Sequence, residues 1–157
     1  MTRVWRICQK RHARNPDPGD GARLHGGRWN HRGTAMVYTS ATRSLAALEL
    51  LVHFDTDIAP ATFVAVPVEI PDRLVLRLPE KDLPADWRAV PAPDSTRNLG
   101  TKWATSGRSV ALSVPSVQVP DERNVLLNPV HPDFPRVSFG AARPFEFDPR
   151  LVLRKQV

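Results

Sequence analysis

The sequence predicts an α+β fold built on a mostly antiparallel sheet, and three observations lead to this class. Short apolar segments typical of strands recur without the regular strand–helix alternation that a parallel sheet requires. One segment, residues 41–54, has the composition of a helix that is apolar on almost every face. The 157 residues include 16 prolines, about twice the usual share, and proline interrupts helices and central strands. We therefore expect short strands, long connections and few helices in one domain over residues 1–157.

The first part of the chain alternates between strand and loop before its strongest helix. Residues 4–7 and 35–39 are each typical of a short strand. Between them, residues 10–34 are polar and contain five glycines, and loops of this length in compact domains are usually functional or disordered. Ser40 then offers a suitable N-cap for the helix over residues 41–54.

The second half predicts further short strands separated by proline-rich connections. Residues 62–70 alternate in polarity, and Pro67 indicates that this strand lies at an edge or carries a bulge. We expect a helical turn near residues 82–87 and a short helix over residues 100–106. The remaining strand candidates are residues 74–76, 109–114, 124–127 and 151–154.

Glu49 and His53 form the one narrow polar stripe of the predicted helix, because residues four apart lie on the same face. The apolar residues around the stripe predict a buried helix, in which a carboxylate is costly unless it is paired or reaches water. On a surface, Glu49 would form an ordinary ion pair with an arginine. In a cleft, its charge would stabilise an oxocarbenium-like centre, as carboxylates do in glycoside cleavage.

Three further polar residues stand in segments that favour presentation to a ligand. Arg28 follows two glycines, which allow close approach of the backbone, and its planar fork matches phosphate oxygens. Tyr38 ends a strand that leads into the Glu49 helix, where its ring could cover a base or a nicotinamide. Ser116 follows Val-Pro at the end of a strand. The alternatives are an arginine stacked on Trp29, a core tyrosine and a turn serine bonded to local backbone.

The net charge of +6 and a pI near 10.4 favour polyanionic partners, either nucleic acid or a phosphate-bearing small molecule. The basic residues are scattered, so a nucleic-acid-binding module remains the non-enzyme alternative. A single cysteine, Cys8, excludes an internal disulfide and suits a reducing compartment. No apolar run approaches the ~20 residues of a membrane helix, and we expect a cytoplasmic protein without a membrane association.

Several classes of site lack their residues. The histidines show no HExxH spacing and no pairing with cysteine, so a metal site is unsupported. Ser116 lacks the G-x-S-x-G context of a nucleophilic serine. The glycine-rich loop lacks the terminal Gly-Lys-Ser/Thr of a phosphate-binding P-loop.

Taken together, the segments GARLHGGRWNHRGTAMVYTS, LAALELLVH, LGTKWATSGRSVALSVPS and ERNVLLNPVHPDF closely resemble the RES-domain family over residues 4–157. The arginine, glutamate and serine that give the family its name fall here at Arg28, Glu49 and Ser116. The resemblance implies a fold similar to ADP-ribosyltransferases, with a split mixed β-sheet and a few helices around an NAD cleft.

The resemblance also implies a function and a partner. RES proteins are toxins of bacterial toxin–antitoxin pairs, encoded beside an Xre-type helix-turn-helix antitoxin. Members deplete NAD+ by cleaving the nicotinamide–ribose bond through phosphorolysis or hydrolysis, and some instead transfer ADP-ribose to a protein. For this chain we accordingly expect NAD+ as substrate, with inorganic phosphate as a possible co-substrate. We also expect an antitoxin that blocks the active site, an oligomeric complex with it, and DNA contact only through that partner.

By the same resemblance, each candidate residue acquires an expected role. Arg28 would hold the pyrophosphate or the nicotinamide-side ribose, and Tyr38 would stack on the nicotinamide ring. Glu49 would orient a ribose hydroxyl and offset the growing positive charge, and Ser116 would bond ribose or phosphate. Asn128 and Arg6 lie in shared segments and are weaker candidates for NAD binding.

Overall fold

A computed structural model describes residues 1–14, 18–53 and 62–153, and within them one mixed sheet organises the molecule. Its strands are β1 (Thr2–Gln9), β2 (Val37–Ser40), β3 (Phe63–Ile70), β4 (Val75–Arg77), β5 (Ala111–Pro115), β6 (Arg123–Leu127), β7 (Ser138–Phe139) and β8 (Arg143–Phe145). The helices are α1 (Asp20–His25), α2 (Arg43–Leu51), α3 (Asp94–Ser106) and α4 (Pro149–Leu153), with short 3-10 turns in the connections. This architecture confirms the predicted α+β class with a mixed, mostly antiparallel sheet.

The strands lie in the order β4-β5-β6-β2-β1-β3-β7, with β8 also paired to β3. The β4–β5 pair is parallel, and all the other pairs are antiparallel. At its middle the sheet nearly divides, because β1 and β2 share a single register pair, Trp5 with Ser40. One half therefore contains β4, β5, β6 and β2, and the other contains β1, β3, β7 and β8.

Two helices cover the same face of the two halves. Helix α3 packs through Trp103 and Ala104 on a cluster that includes Leu112 and Leu126. Helix α2 packs through Ala46 on the other half, together with Ile7, Phe63 and Ala65. The separation of β1 and β2 therefore leaves a space between α2 and α3 above the middle of the sheet.

Helix α2 is shorter than the sequence predicts. It begins at Arg43, and its N-cap is Thr42, whose Oγ1 accepts a 3.0 Å hydrogen bond from the amide of Leu45. The predicted cap, Ser40, belongs instead to β2, where backbone pairing holds it opposite Asn124. The helix ends at Leu51, and residue 54, the predicted end, lies outside the described residues.

The prediction that α2 is buried on most faces is wrong. Leu45 and Ala46 are buried, whereas Leu48 is 37% exposed and Val52, just beyond the helix, is 42% exposed. The helix lies on the sheet with one face only, so apolar residues on its outer side remain accessible to solvent. Periodicity alone did not reveal which apolar face the sheet covers.

Other predicted elements differ in extent or in type. The long loop over residues 10–34 contains α1, and the short helix predicted over residues 100–106 is the C-terminal half of a 13-residue α3. The strand predicted over residues 151–154 is wrong, because the described part of that segment belongs to helix α4.

Pro67 predicted an edge strand or a bulge, but β3 has partners on both sides and an uninterrupted register with β1, and the proline instead interrupts pairing on the outer side only. On the inner side β3 pairs with β1 along its whole length. On the outer side β8 pairs with residues 63–65 and β7 with residues 68–69, so the ladder has a gap at the proline. The amide of Gly140 fills part of this gap with a 2.8 Å hydrogen bond to the Pro67 carbonyl.

Candidate active site

A cavity of about 870 Å³ occupies the space between α2 and α3. Its floor includes Trp5 of β1 and Tyr38 of β2, the two strands that separate at this point. Arg28, from the loop after α1, and Glu49, from α2, also line it. The structure thus brings together an arginine, a tyrosine and a carboxylate that are distant in sequence, in a volume typical of small-molecule sites.

Residues 26–30, here called the GGRWN loop, present Arg28 to the cavity. The loop begins at Gly26, whose positive φ of 74° ends helix α1. It closes through a bridge between Gly27 and Asn30. Asn30 is fully buried, and its Nδ2 donates to the carbonyls of Ala22, His31 and Thr34 at 2.8–3.1 Å. The loop is therefore fixed from inside by one asparagine side chain.

The hydroxyl of Tyr38 completes this internal network. It donates a 2.6 Å hydrogen bond to Oδ1 of Asn30 and accepts one of 3.1 Å from the backbone amide of Trp29. Burial raises the pKa of Tyr38 well above its ordinary value. A Cβ on Gly27 would lie 2.5 Å from this hydroxyl, so the loop needs glycine there. The tyrosine hydroxyl is engaged in holding the loop, while its ring lines the cavity.

Arg28 holds a second loop against the cavity. Its Nη1 donates to the carbonyl of Trp87 at 3.0 Å and to that of Ala89 at 2.8 Å. The next residues of that connection, Val90, Pro91 and Ala92, line the cavity. Within the described residues, neither Nε nor Nη2 of Arg28 has a hydrogen-bond partner, so these donors are available to a ligand.

The charges around Arg28 are balanced rather than paired. Burial has the largest effect on the pKa of Arg28 and lowers it. The Glu49 carboxylate raises this pKa, and the positive charge of Arg97 lowers it further. Among the described residues, no ion pair within 4.0 Å joins Arg28 to Glu49. The cavity therefore has a positive side at Arg28 and Arg97 and a separate negative point at Glu49.

Glu49 is held through one of its two oxygens. Oε1 accepts a 2.6 Å hydrogen bond from Oγ of Ser116 and a 2.7 Å hydrogen bond from Nδ2 of Asn124. Oε2 has no hydrogen-bond partner within the described residues. Since Glu49 lines the cavity and is only partly buried, Oε2 is the oxygen left for a ligand.

Ser116, expected to bond ribose or phosphate, instead lies behind Glu49. It is fully buried and does not line the cavity. Its Oγ accepts from the amides of Gln118 and Val119 at 3.0 and 3.1 Å while donating to Glu49. The geometry gives Ser116 a way to act on a ligand only through the carboxylate.

The two weaker candidates lie away from the cavity. Asn128 is 2% exposed, and its amide bonds the carbonyl of Ala104 and the backbone amide of Val130. Arg6 is absent from the cavity lining, whereas its neighbours Trp5 and Ile7 contribute to it. Successive side chains of a strand point to opposite faces, so Arg6 belongs to the other face of β1.

The cavity lining also includes polar residues that were not predicted to take part in the site, among them Arg97, Asn124 and Ser40. Arg97, on α3, reaches the cavity while its Nη1 lies 3.1 Å from Asp94. Asn124 and Ser40 contact each other across the β2–β6 pair. Arg97 gave no sequence signal beyond its charge. Asn124 stood in the ERN segment shared with the family, but its contact with Glu49 depends on long-range strand register. His53, the other residue of the predicted stripe, also lines the cavity.

The described residues carry no cluster of three or more His, Cys, Asp or Glu side chains able to hold a metal ion. In the same part of the chain, no helix is both long enough and apolar enough to cross a membrane.

The match to a family model is decisive for classification. The model described as "RES domain" matches residues 3–148, nearly the whole chain. The chain belongs to the RES domain family. Its membership confirms the resemblance carried by the arginine, glutamate and serine segments, which meet at this cavity.

Curated relatives of this RES domain are named as toxins. "Toxin Res" of Yersinia enterocolitica is 41% identical over 150 residues, covering 94% of this chain and 98% of the relative. "Prs ADP-ribosylating toxin" of Sphingobium sp. is 38% identical over 156 residues, covering 96% and 97%. The fold is similar to a solved chain from the M. tuberculosis MbcT–MbcA toxin–antitoxin complex, with a TM-score of 0.71 and 15% identity. That similarity covers 99% of this chain and 89% of the other.

Proposed function

We propose that this RES domain is the toxin of a bacterial toxin–antitoxin pair and acts by cleaving the nicotinamide–ribose bond of NAD+. The names of the curated relatives support the toxin role, and the word ADP-ribosylating in one of them indicates NAD+ chemistry. The observation that carries the proposal is the shared cavity of Arg28, Tyr38 and Glu49. It provides phosphate-binding donors, an aromatic surface and a carboxylate within reach of one ligand.

The chemistry follows from where these charges stand. When the bond between nicotinamide and C1′ of the ribose breaks, its electron pair goes to the ring nitrogen, which becomes neutral. Positive charge then develops on C1′ and the ring oxygen of the ribose. Oε2 of Glu49, fixed in advance by the bonds to Oε1, offers a negative charge to this centre without reorganisation. The pyrophosphate is negative and matches the side of the cavity that holds Arg28 and Arg97.

The product depends on what attacks C1′. Attack by water, with loss of a proton, gives ADP-ribose, whereas attack by inorganic phosphate gives its phosphate ester. Attack by a protein side chain gives a mono-ADP-ribosylated protein, which is the second candidate function. The 38% identity to a toxin named for ADP-ribosylation of Prs favours keeping this acceptor in view.

Purified protein incubated with NAD+, with and without phosphate, tests these outcomes by mass spectrometry. We expect release of nicotinamide together with ADP-ribose or its phosphate ester. Appearance of a modified polypeptide from an added cell extract, with little free product, would instead support protein modification. Intact NAD+ in every reaction would contradict both.

Glu49→Gln is the matched variant for this test, because glutamine keeps a carbonyl oxygen for Ser116 and Asn124 and replaces the charged Oε2 with a neutral amide nitrogen. We expect turnover to fall by about 10²–10³-fold and growth arrest to be relieved, with an unchanged melting temperature. A folded Glu49→Gln protein with full turnover would contradict a role of the charge in bond cleavage.

A nucleic-acid-binding module predicts a different response. Such binding would weaken steeply with salt and would not respond to Glu49→Gln. We further propose a helix-turn-helix antitoxin that covers the cavity, a cytoplasmic site of action and DNA contact only through that antitoxin. Co-purification with the product of an adjacent gene, and inhibition of NAD+ cleavage by it, test the partner.

A further inference from the structure

Asn124 lies where strands β2 and β6 meet helix α2. Its position on β6 is in register with Ser40 of β2 and Val114 of β5. Its Nδ2 donates a 2.7 Å hydrogen bond to Oε1 of Glu49, and its Oδ1 accepts a 2.7 Å hydrogen bond from Oγ of Ser40. The side chain thereby links the central strands to helix α2 at the edge of the cavity.

We propose that Asn124, oriented by Ser40, is a positioning residue that fixes the Glu49 carboxylate so that Oε2 faces the substrate. This role rests on the proposed function, since it concerns the carboxylate that would stabilise the ribose cation. It adds a residue to the site that neither the family's three name-giving residues nor the sequence motifs single out.

The orientation of the amide is determined by its neighbours. If the Asn124 side chain were reversed, Oδ1 would face the carboxylate of Glu49, and two acceptor oxygens would repel each other. In the observed orientation both ends of the amide have partners of the correct kind. The Ser40 hydroxyl favours the observed orientation because it can donate to Oδ1 while the carboxylate of Glu49 accepts a hydrogen bond from Nδ2.

Glu49 needs such a restraint because of where it stands. It lies two residues before the end of α2, and a glutamate side chain has rotational freedom costing up to about 2 kcal/mol to fix. Ser116, in the connection after β5, and Asn124, on β6, donate to the same oxygen from different parts of the sheet, so together they restrain the carboxylate in two directions. The restraint also keeps Glu49 apart from the positive charge of Arg28, leaving both free to meet a ligand.

Asn124→Ala removes the restraint and leaves Ser116 in place, while Asn124→Asp keeps the size of the side chain and replaces the donor with a second carboxylate. For NAD+ cleavage, followed as nicotinamide release, we expect kcat to fall by about 30-fold for Asn124→Ala and further for Asn124→Asp. KM should change by less than about threefold, because the contacts of Arg28 with the Trp87 and Ala89 carbonyls are untouched.

Ser40→Ala supplies a readout that a merely structural asparagine would not move. It should lower kcat by about threefold in the wild-type background and have no further effect in Asn124→Ala, because the proposed role of Ser40 depends on its hydrogen bond to Asn124. Ser109→Ala is the control for general loss of buried polar contacts. It removes the partner of the Trp103 indole and should lower the melting temperature without changing kcat.

The outcomes separate the two levels of the proposal. If the wild type is active and both Asn124 variants keep its kcat, the positioning role is overturned and the proposed function is not. The positioning role is also overturned if the effects of Ser40→Ala and Asn124→Ala on kcat are additive in the double variant. It is overturned likewise if Ser109→Ala loses as much kcat as the Asn124 variants while having the same melting temperature as they do. A wild type that releases no nicotinamide overturns the proposed function and this inference with it.

Discussion

Ser116 and Glu49 are 67 residues apart in the chain, yet the buried hydroxyl of the first donates a 2.6 Å hydrogen bond to Oε1 of the second. The same hydroxyl accepts from the backbone amides of Gln118 and Val119, which turn the chain after β5. One side chain thus closes a turn and restrains a carboxylate. The serine of the family's name is, in this geometry, a support for the glutamate.

Ser116→Ala should therefore affect stability as well as turnover. Two backbone amides and the Glu49 carboxylate lose a bond to this buried hydroxyl, and we expect the free energy of unfolding to fall by about 1–3 kcal/mol. Urea titration of wild type and variant measures this change, and nicotinamide release gives the accompanying loss of kcat. Ser106→Ala, which removes a hydroxyl bonded to the Trp103 carbonyl on α3, is the control. An unchanged urea midpoint for Ser116→Ala would contradict the structural half of its role.

Tyr38 predicts a dependence of stability on alkaline pH. Burial raises the pKa of Tyr38 in the folded state, whereas in the unfolded chain it titrates near its ordinary value of about 10. The folded protein therefore retains a proton that the unfolded chain loses. The stabilisation is fully present below about pH 10 and decreases above it, by up to about 1.4 kcal/mol per pH unit.

The chain contains one tyrosine, so tyrosinate absorbance reports Tyr38 alone. We expect this absorbance to appear only together with unfolding. Tyr38→Phe lacks the titrating hydroxyl, and its free energy of unfolding should decline less steeply above pH 10. Ionisation of Tyr38 near pH 10 in a protein that remains folded would contradict the burial of its hydroxyl.

Gly100 on α3 lies against the backbone of the GGRWN loop. A Cβ at this position would lie 1.8 Å from the carbonyl oxygen of Trp29 and 2.7 Å from its carbon. Backbone atoms cannot give way as a flexible side chain can, so Gly100→Ala should destabilise the fold by about 3 kcal/mol or more. Chemical denaturation measures the difference.

Gly21→Ala is the matched control, since it also places alanine in a helix but meets no atom within 4 Å. Its stability should be equal to or greater than that of the wild type. If both alanine variants were equally stable, α3 and the GGRWN loop could not be as close as the structure shows.

The contacts of Arg28 with the Trp87 and Ala89 carbonyls predict protection of the peptide bond after Arg88. Arg28→Ala should release this connection and accelerate tryptic cleavage after Arg88 severalfold, as identified by fragment mass. Arg23→Ala, which removes an exposed arginine paired with Asp20 on α1, should leave that cleavage unchanged. Equal cleavage rates in all three proteins would show that Arg28 does not hold the loop.

Local patterns predicted much of this fold, and long-range register accounts for what they missed. The α+β class and most strands follow from alternation and proline spacing, but the short segment 151–154, apolar over its first three residues, predicts a strand where its described part is helix α4. The start of α2 differs from the prediction because Ser40 and Thr42 are both acceptable caps, and only the pairing of β2 with β6 decides between them.

The candidate site shows the same division. Arg28, Tyr38 and Glu49 were predicted as one cluster from their segments, and the structure brings them to one cavity. Asn128 and Arg6 shared those segments without facing it. Asn124 could not be predicted to contact Glu49, because the contact requires β6 to lie beside β2 with Asn124 opposite Ser40, 84 residues away.

Among the described residues, neutral donors and not a cation restrain Glu49, and this has a consequence for selection on the gene. A hydroxyl and an amide can also donate to a neutral carbonyl oxygen, though more weakly than to a carboxylate, so replacing the glutamate with glutamine keeps the same contacts. Under our proposal, a cell poisoned by this protein could escape through one coding change without accumulating misfolded chains. The inactive protein would still bind its neutralising partner. Populations should therefore carry alleles that encode a folded, inactive protein beside alleles that encode an active one.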